Sequence, residues 1–539
     1  MMPSSIPFLT LHHPALAKAY YASGLWQEDT FYSLAKRHAI ARPGELALQD
    51  GRSALTWAQL TARVDAAAQG MRALGLERGD RVALWMSNRI EAVIAFIACS
   101  REGFACNPSL HHTQARADVL RSLERLSARL LITEPGWGGE PPAAREDWRA
   151  TLHAVKSLRA VWTPEEMPDG TADRTQAPIP DADPDGVCYM AFTSGTTGEP
   201  KAVMHSANTL LANARELVRD WGHDARTAIL SLSPVSHHIA WVGVAQWLVC
   251  GGRFVTANGP TGMSKLDWIA ASGATYVMGV PTHAMDVLAE QATSGTKLGN
   301  VSVFYMAGSP IPPVVARAFL EQGTTPQNVY GMTENSSHQY THPDDGASLI
   351  LSTCGRGGAA YEVRLFDVED PDKPVAVGEI GQIGGRGAAL MLGYFADQEA
   401  TASSFNAGGW FMSGDLGRMD DDGNLSIEGR SKDVIIRGGH NIYPARIEAL
   451  ALRHGEAGRV ACFPVKDERL GERVCIALSG PVDPLVLNQW MADEGLSRAE
   501  LPEFFVRIND FPLSGSGKIL KRELVNQARR REIVPQPLR

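Results

Sequence analysis

Short apolar runs, each followed by a helically spaced stretch, recur through the first half of the chain. Arg81–Trp85 reads as a strand with a helix over Ile90–Arg101 behind it, and Ala228–Leu232 precedes a helix over His237–Val249. Ala274–Val280 leads into a helix after Pro281, and Val301–Met306 into one from Pro312. A strand returned by a helix to the same direction pairs in parallel, so the alternation predicts an α/β architecture with crossover helices. Pro/Gly/Asp-rich stretches at Gly136–Pro142 and Asp169–Asp185 mark loops between these units. From Tyr361 the texture changes to short strands and turns: Tyr361–Phe366, Gly378–Ile383, then Leu425–Ile427 behind the turn Asp420–Asn424. That is a β-rich lobe. Beyond Arg430 come Val434–Ile436, a helix from Pro444 and strands near Arg459–Val465 and Arg473–Leu478, enough for a small α+β domain. At 539 residues the chain exceeds one ordinary core. The predicted division is a large N-terminal domain of stacked mixed α/β subdomains with a β-rich lobe over 1–429. A hinge over 430–432 and a small C-terminal domain over 433–539 follow.

The stretch Thr193-Ser194-Gly195-Thr196-Thr197-Gly198-Glu199-Pro200-Lys201 follows the apolar run Val187–Phe192, which reads as a buried strand feeding a loop. Its glycines let the backbone turn tightly and bring amide N–H groups to an anion. Its hydroxyls can donate to phosphate oxygens, and Lys201 adds a positive charge. It is not the Gly-x-x-x-x-Gly-Lys-Ser/Thr loop, because Gly198 is followed by Glu199. The alternative is a solvent-exposed Gly/Ser/Thr linker.

Net charge is −9 with no long basic run, which argues against a nucleic-acid partner. The apolar run Ile239–Cys250 is too short to span a bilayer, and the start Met-Met-Pro-Ser-Ser-Ile-Pro lacks the features of a signal peptide. The 7 cysteines are scattered, with no Cys-x-x-Cys pair, and read as buried free thiols. The expectation is a cytoplasmic multidomain enzyme.

Four further segments carry chemistry. Tyr330-Gly331-Met332-Thr333-Glu334 follows the strand-like Asn328-Val329 and sets a hydroxyl beside a carboxylate, suited to a phosphate and a hard cation. Thr-Glu is also an ordinary helix N-cap pair. Gly409-Trp410-Phe411-Met412-Ser413-Gly414-Asp415 places a carboxylate at a predicted tight turn behind a buried aromatic pair, suited to ribose hydroxyls; the alternative is a hairpin turn with a solvated Asp. Gly429-Arg430-Ser431-Lys432-Asp433, at the change of texture, suits a hinge and a ribose or phosphate contact. Pro512-Leu513-Ser514-Gly515-Ser516-Gly517-Lys518 sets one lysine on a glycine-rich loop, where an ordinary surface lysine is the alternative.

In this order, from about Phe31 to Lys521, the five segments resemble the adenylate-forming superfamily: acyl-CoA synthetases, carrier-protein adenylation domains and firefly-type luciferases. The chain departs from the family pattern at Ala202, where glycine is usual, and at Arg446, where an acidic residue is common. The resemblance implies that Thr193 to Lys201 wrap the ATP phosphates and that Ala307, Gly308, Ser309 and Tyr330 hold the adenine, with Gly331 also in the nucleotide site. It assigns Thr333 to the α-phosphate, Glu334 to Mg²⁺, and Asp415 with Arg430 to the ribose. Lys518 would bridge the substrate carboxylate and the α-phosphate. His237 would line the acid pocket, walled by Trp241, Met278, Val280 and Met306; core packing is the alternative for His237 and for half of these walls. The small C-terminal domain would be mobile, rotating about Lys432 so that Gly438 and Gly439 line a channel for coenzyme A.

Those residues imply ATP, Mg²⁺, coenzyme A and a small carboxylic acid as cofactors and partners, with a homodimer left open. Within the family the chain is most similar to medium-chain and cyclohexanecarboxylate-type acid–CoA ligases. Medium-chain, alicyclic or aromatic acids are the expected substrates. Two alternatives stand beside this: a stand-alone enzyme loading a separate carrier protein, and a non-catalytic nucleotide-binding protein.

Overall fold

The computed structural model describes residues 6–138, 152, 154–170, 182–193, 200–513 and 519–538. Two large sheets form the N-terminal part. One has eight strands in the order Ser336–Tyr340, Thr325–Met332, Val303–Ala307, Tyr276–Gly279, Ala228–Ser231, Arg253–Val255, Leu46–Gln49 and Ala54–Thr56. Its interior pairs are parallel and its two edge pairs antiparallel. The second has six strands and ends on the hairpin of Val187–Thr193 with Lys201–Ser206. Parallel pairing follows from the strand–helix alternation, as expected. In the eight-stranded sheet the antiparallel edges arise where the return is a short turn and no helix intervenes.

The helix His238–Cys250 is apolar nearly all round, and its residues from Ala240 to Leu248 are buried. A helix of that kind belongs in a core. Trp241 packs on Phe96 with ring centroids 4.5 Å apart, and Trp247 stacks on Trp57 at 5.1 Å. Gly251, at φ 71°, ends the helix in the left-handed conformation that glycine takes without steric cost. The helix Ala207–Asp220 starts on a reciprocal cap, with Ser206 accepting from Thr209 N–H and Thr209 from Ser206 N–H.

The β-rich lobe is a four-stranded antiparallel sheet of Tyr361–Phe366, Ile380–Gly387, Phe411–Met419 and Leu425–Arg430. The next strand, Ile435–Arg437, belongs to a different, six-stranded sheet with its own apolar core around Ile447, Cys462 and Ile476. Sheet membership therefore changes across the short 3₁₀ turn Ser431–Asp433.

All seven cysteines are free. Several histidines are buried or half-buried. Burial pulls the pKa of His205, His223 and His283 down to about 4, and of His238 and His338 to about 3. Released into water each regains a pKa near 6.5. Below that pH the unfolded chain binds protons that the folded chain refuses, so stability falls as pH drops from about 6.5 toward 4. The thermal midpoint is expected to drop by at least about 5 °C between pH 7 and pH 5. Equal midpoints by scanning calorimetry would contradict the lowered values.

Candidate active site

Four neighbouring parallel strands of the eight-stranded sheet end side by side, and His237, Val280, Gly308, Ser309, Tyr330, Gly331, Thr333 and Glu334 lie at or just beyond those ends. Such a crest is where open α/β sheets hold ligands. After Ala228–Ser231 the chain reaches His237, the residue that begins the helix His238–Cys250; its ring lies 4.7 Å from that of His111. After Tyr276–Gly279 comes half-buried Val280, beginning the helix Pro281–Ser294 with proline at its first position. Ala307 pairs with Val329, and Gly308 turns at φ 92° just beyond it, with Ser309 exposed. The strand Thr325–Met332 then delivers Tyr330, Gly331, Thr333 and Glu334. No helix starts at Thr333, so the capping alternative falls. Met332–Asn335 is a tight turn, Asn335 N–H donating to Met332 O at 3.2 Å and Met332 N–H to Asn335 Oδ1 at 3.0 Å.

The other acid-pocket residues sit deeper. Met278 and Met306 have no exposed surface, and Trp241 is 2% exposed with its indole N–H on Val235 O at 2.7 Å. They are packed in the core beneath the crest. His237 and Val280 lie at its surface.

Tyr330 is buried, and its hydroxyl donates to Asp415 Oδ2 at 2.9 Å. Arg430 Nε donates to the other oxygen, Oδ1, at 3.1 Å. Asp415 lies in mid-strand, opposite Arg430 in register, and not at the predicted turn. The glycine before it, at φ 77°, distorts the strand locally without reversing it. Trp410 and Phe411 are buried as expected.

Glu334 is buried, and burial pushes its carboxyl above the usual range while Tyr394 and Lys201 pull it back. The Tyr394 hydroxyl donates to Oε1 at 3.0 Å, and Lys201 Nζ stands 4.7 Å above the same ring. The backbone explains the meeting. Beyond the hairpin the strand Lys201–Ser206 is bonded on its free edge to residues 392–395, through Phe395 N–H to Ala202 O (2.8 Å) and Leu392 N–H to Met204 O (2.8 Å). A carboxylate has about four acceptor sites, so one bond from Tyr394 leaves room for a hard cation. The donor chemistry fits Mg²⁺.

Sequence reasoning missed Tyr394 and His205. His205 Nε2 lies 2.6 Å from Thr333 O, and Nδ1 lies 2.9 Å from the Thr209 hydroxyl. A buried polar stripe on the helix Ala207–Asp220 continues this grip along the strand Ser336–Tyr340. Asn213 exchanges two bonds with the Ser337 main chain (2.8 and 3.1 Å), and Asp220 accepts from Tyr340 Oη at 2.7 Å. Glu216 accepts from Ala359 and Ala360 N–H. Spacing of four, three and four residues puts Thr209, Asn213, Glu216 and Asp220 on one helix face. That polar periodicity inside an otherwise buried helix was the available signal.

Of the remaining predicted residues, half-buried Thr193 closes its strand, with Oγ1 3.4 Å from Lys201 O. Ser194, Gly195, Thr196, Thr197, Gly198 and Lys518 lie outside the described residues. Lys432 is in the 3₁₀ turn. Gly438 and Gly439, at φ 57° and 86°, form the two-residue turn between Ile435–Arg437 and His440–Ile442, a geometry that by itself calls for glycine at both places. Arg446 pairs with Glu500 at 2.9 Å, and Ala202 is fully buried.

A model of the AMP-binding enzyme family matches residues 35–395. The medium-chain fatty-acid–CoA ligase of Escherichia coli (strain K12) is 29% identical over 518 residues, covering 93% of this chain and 91% of that protein. A salicylyl-CoA synthase / salicylate adenylyltransferase of a Streptomyces species is 30% identical over 533 residues, covering 94% and 95%. Among solved structures, ATP-bound MatB from Rhodopseudomonas palustris superimposes with a TM-score of 0.82 at 25% identity, covering 92% of this chain and 99% of that one.

Proposed function

The chain belongs to the AMP-binding enzyme family, and on that premise we propose that it joins a carboxylic acid to coenzyme A in two half-reactions. The acid first attacks the α-phosphorus of ATP, giving an acyl adenylate and pyrophosphate. The thiol of coenzyme A then displaces AMP. One observation supports this most: Tyr330, Asp415 and Arg430 are bonded into one cluster beside the Glu334–Tyr394–Lys201 cluster at a sheet crest.

Each group has a task in this reading. Asp415, whose carboxylate accepts from Tyr330 and Arg430, would hold the ribose hydroxyls, and Tyr330 would present its ring to the adenine. Thr333 offers a hydroxyl to the α-phosphate. Glu334 would hold Mg²⁺, which when bound draws charge from phosphate oxygens. The central difficulty is electrostatic, since a carboxylate must approach a phosphate, and Lys518 would supply the local positive charge. His237 and Val280 would face the acid. Medium-chain, alicyclic and aromatic acids are the substrates of this proposal, and the names of the relatives span aliphatic and aryl acids alike.

The second half-reaction calls for Lys518 to withdraw. We place the domain boundary at 430–432 and the pivot at Lys432, within the turn where sheet membership changes. Gly438 and Gly439 would then border the channel for the pantetheine arm. Lys432→Pro is expected to leave adenylate formation within about threefold of wild type and to slow thioester formation about 100-fold or more. Equal loss of both half-reactions would refute the pivot.

The salicylate relative carries an adenylyltransferase name, so the acceptor is the first point to test. Pyrophosphate release is measured with ATP, Mg²⁺ and a panel of medium-chain, alicyclic and aryl acids, with and without coenzyme A. Acid-dependent release that rises with coenzyme A supports the ligase. Release indifferent to it points to a carrier-protein acceptor, and silence with every acid defeats the reaction. The cytoplasm is the compartment of this proposal.

A further inference from the structure

Two histidines, His205 buried and His238 half-buried, stand behind the turn that carries Thr333 and Glu334, and neither belongs to the residues assigned above. The rings of His205 and His238 are nearly parallel, 5.8 Å apart and inclined by 23°. His205 leaves the hairpin on the strand Lys201–Ser206. Its Nε2 faces the carbonyl of Thr333 at 2.6 Å, and a carbonyl only accepts, so Nε2 carries the proton. Nδ1 is then the acceptor for the Thr209 hydroxyl at 2.9 Å. His238 bridges two hydroxyls: Nδ1 to Tyr189 Oη and Nε2 to Ser336 Oγ, each at 3.1 Å.

Ser336 is the residue that shows what this arrangement is holding. Its φ is 55°, a left-handed conformation that a serine adopts at some steric cost. The chain accepts that cost where it reverses from Thr325–Met332 into Ser336–Tyr340, and the His238 bond keeps it there. Thr333 is thus held at its carbonyl by His205, and Ser336, three residues on, at its hydroxyl by the adjacent His238. Between them lies Glu334. A pair of histidines that served packing alone would not need one nitrogen directed at Thr333 and another at Ser336.

We propose that His205 and His238 are positioning residues that fix the Thr333–Ser336 turn, and with it the Thr333 hydroxyl and the Glu334 carboxylate, in the geometry that receives Mg²⁺·ATP. The inference rests on the nucleotide role proposed for that turn. It needs both rings neutral, because two charged rings in contact would repel and a doubly protonated His205 would lose its acceptor. Partners behind metal-binding groups are worth about 10- to 100-fold in metal affinity.

The test is calorimetric titration of the whole protein with ATP, with and without Mg²⁺ and with no acid present. The quantity read is the factor by which Mg²⁺ tightens ATP binding. His205→Leu should cut that factor about tenfold while metal-free ATP affinity stays within threefold. His205→Gln, which keeps an N–H at the same reach, should recover most of it. A factor in His205→Leu within twofold of wild type overturns the proposal, as does a Gln variant no better than Leu. Should His205→Leu fail to fold, Ser336→Ala takes its place, deleting only the hydroxyl held by His238. An unchanged factor there is equally fatal. Because no acid is involved, a wild type inactive toward every acid would sink the proposed reaction and leave this comparison decisive. A wild type whose ATP affinity ignores Mg²⁺ would overturn both.

Discussion

Lys518→Ala is expected to slow acid-dependent pyrophosphate release about 1000-fold, near 4 kcal/mol of transition-state stabilisation. The size follows from the chemistry. A carboxylate and a triphosphate carry like charge, and in a site that excludes water one fixed cation between them acts at low dielectric. The neighbouring lysine cannot substitute. Lys521 Nζ is 2.8 Å from Glu448 Oε1, and that carboxylate, together with Asp433, raises its pKa against the burial that would lower it. ATP binding should change far less, so the kcat of the first half-reaction falls while the KM for ATP stays within about threefold. The second half-reaction, started from supplied acyl adenylate and coenzyme A, should proceed at close to the wild-type rate. A parallel loss in both would mean that Lys518 supports the fold and not the chemistry.

Asp415→Ala should show the opposite pattern: a KM for ATP raised about 100-fold, with kcat at saturating ATP reduced by no more than about tenfold. The aspartate is proposed to hold the ribose, a part of the nucleotide where no charge changes during reaction, so its contribution is to binding. Alanine also leaves the Tyr330 hydroxyl, which is buried, without its acceptor. A stranded buried donor costs about 1–3 kcal/mol, so the thermal midpoint should fall as well. Asp415→Asn, which keeps an acceptor for one donor, should sit between the two. An unchanged KM in the alanine variant would remove Asp415 from the nucleotide site.

The sequence made the elements of the α/β part legible because each strand and its return helix carry their own period and punctuation. Arg81–Trp85 and Tyr361–Phe366 match to the residue, and the helices after Pro281 and from Pro444 begin as expected. The segments bearing Tyr330, Glu334, Asp415 and Arg430 were also recognisable, since tight turns and charges at strand ends are local features. What escaped was non-local. Asp415 reads as a turn because Ser-Gly-Asp is turn chemistry, yet antiparallel pairing with Arg430 keeps the strand running. Tyr394 meets Glu334 because its segment is bonded to a strand nearly two hundred positions earlier and, through Met391 N–H, to Glu334 O itself. Met278 and Trp241 are apolar on either reading, and no period distinguishes a pocket wall from a core.

The polar stripe of the helix Ala207–Asp220 has a consequence for how such an enzyme could diversify. Its side chains fasten the strand Ser336–Tyr340 at Ser337 and Tyr340, while His205 holds Thr333 just ahead of it. A substitution in that strand would be transmitted to the residue that meets the nucleotide, so selection would resist change there whatever acid was on offer. Val280 begins its helix on a separate flank, two strands away from Thr325–Met332 in the sheet. New acid preferences should therefore accumulate on that flank, where a pocket can be reshaped while the ATP half of the reaction is inherited intact.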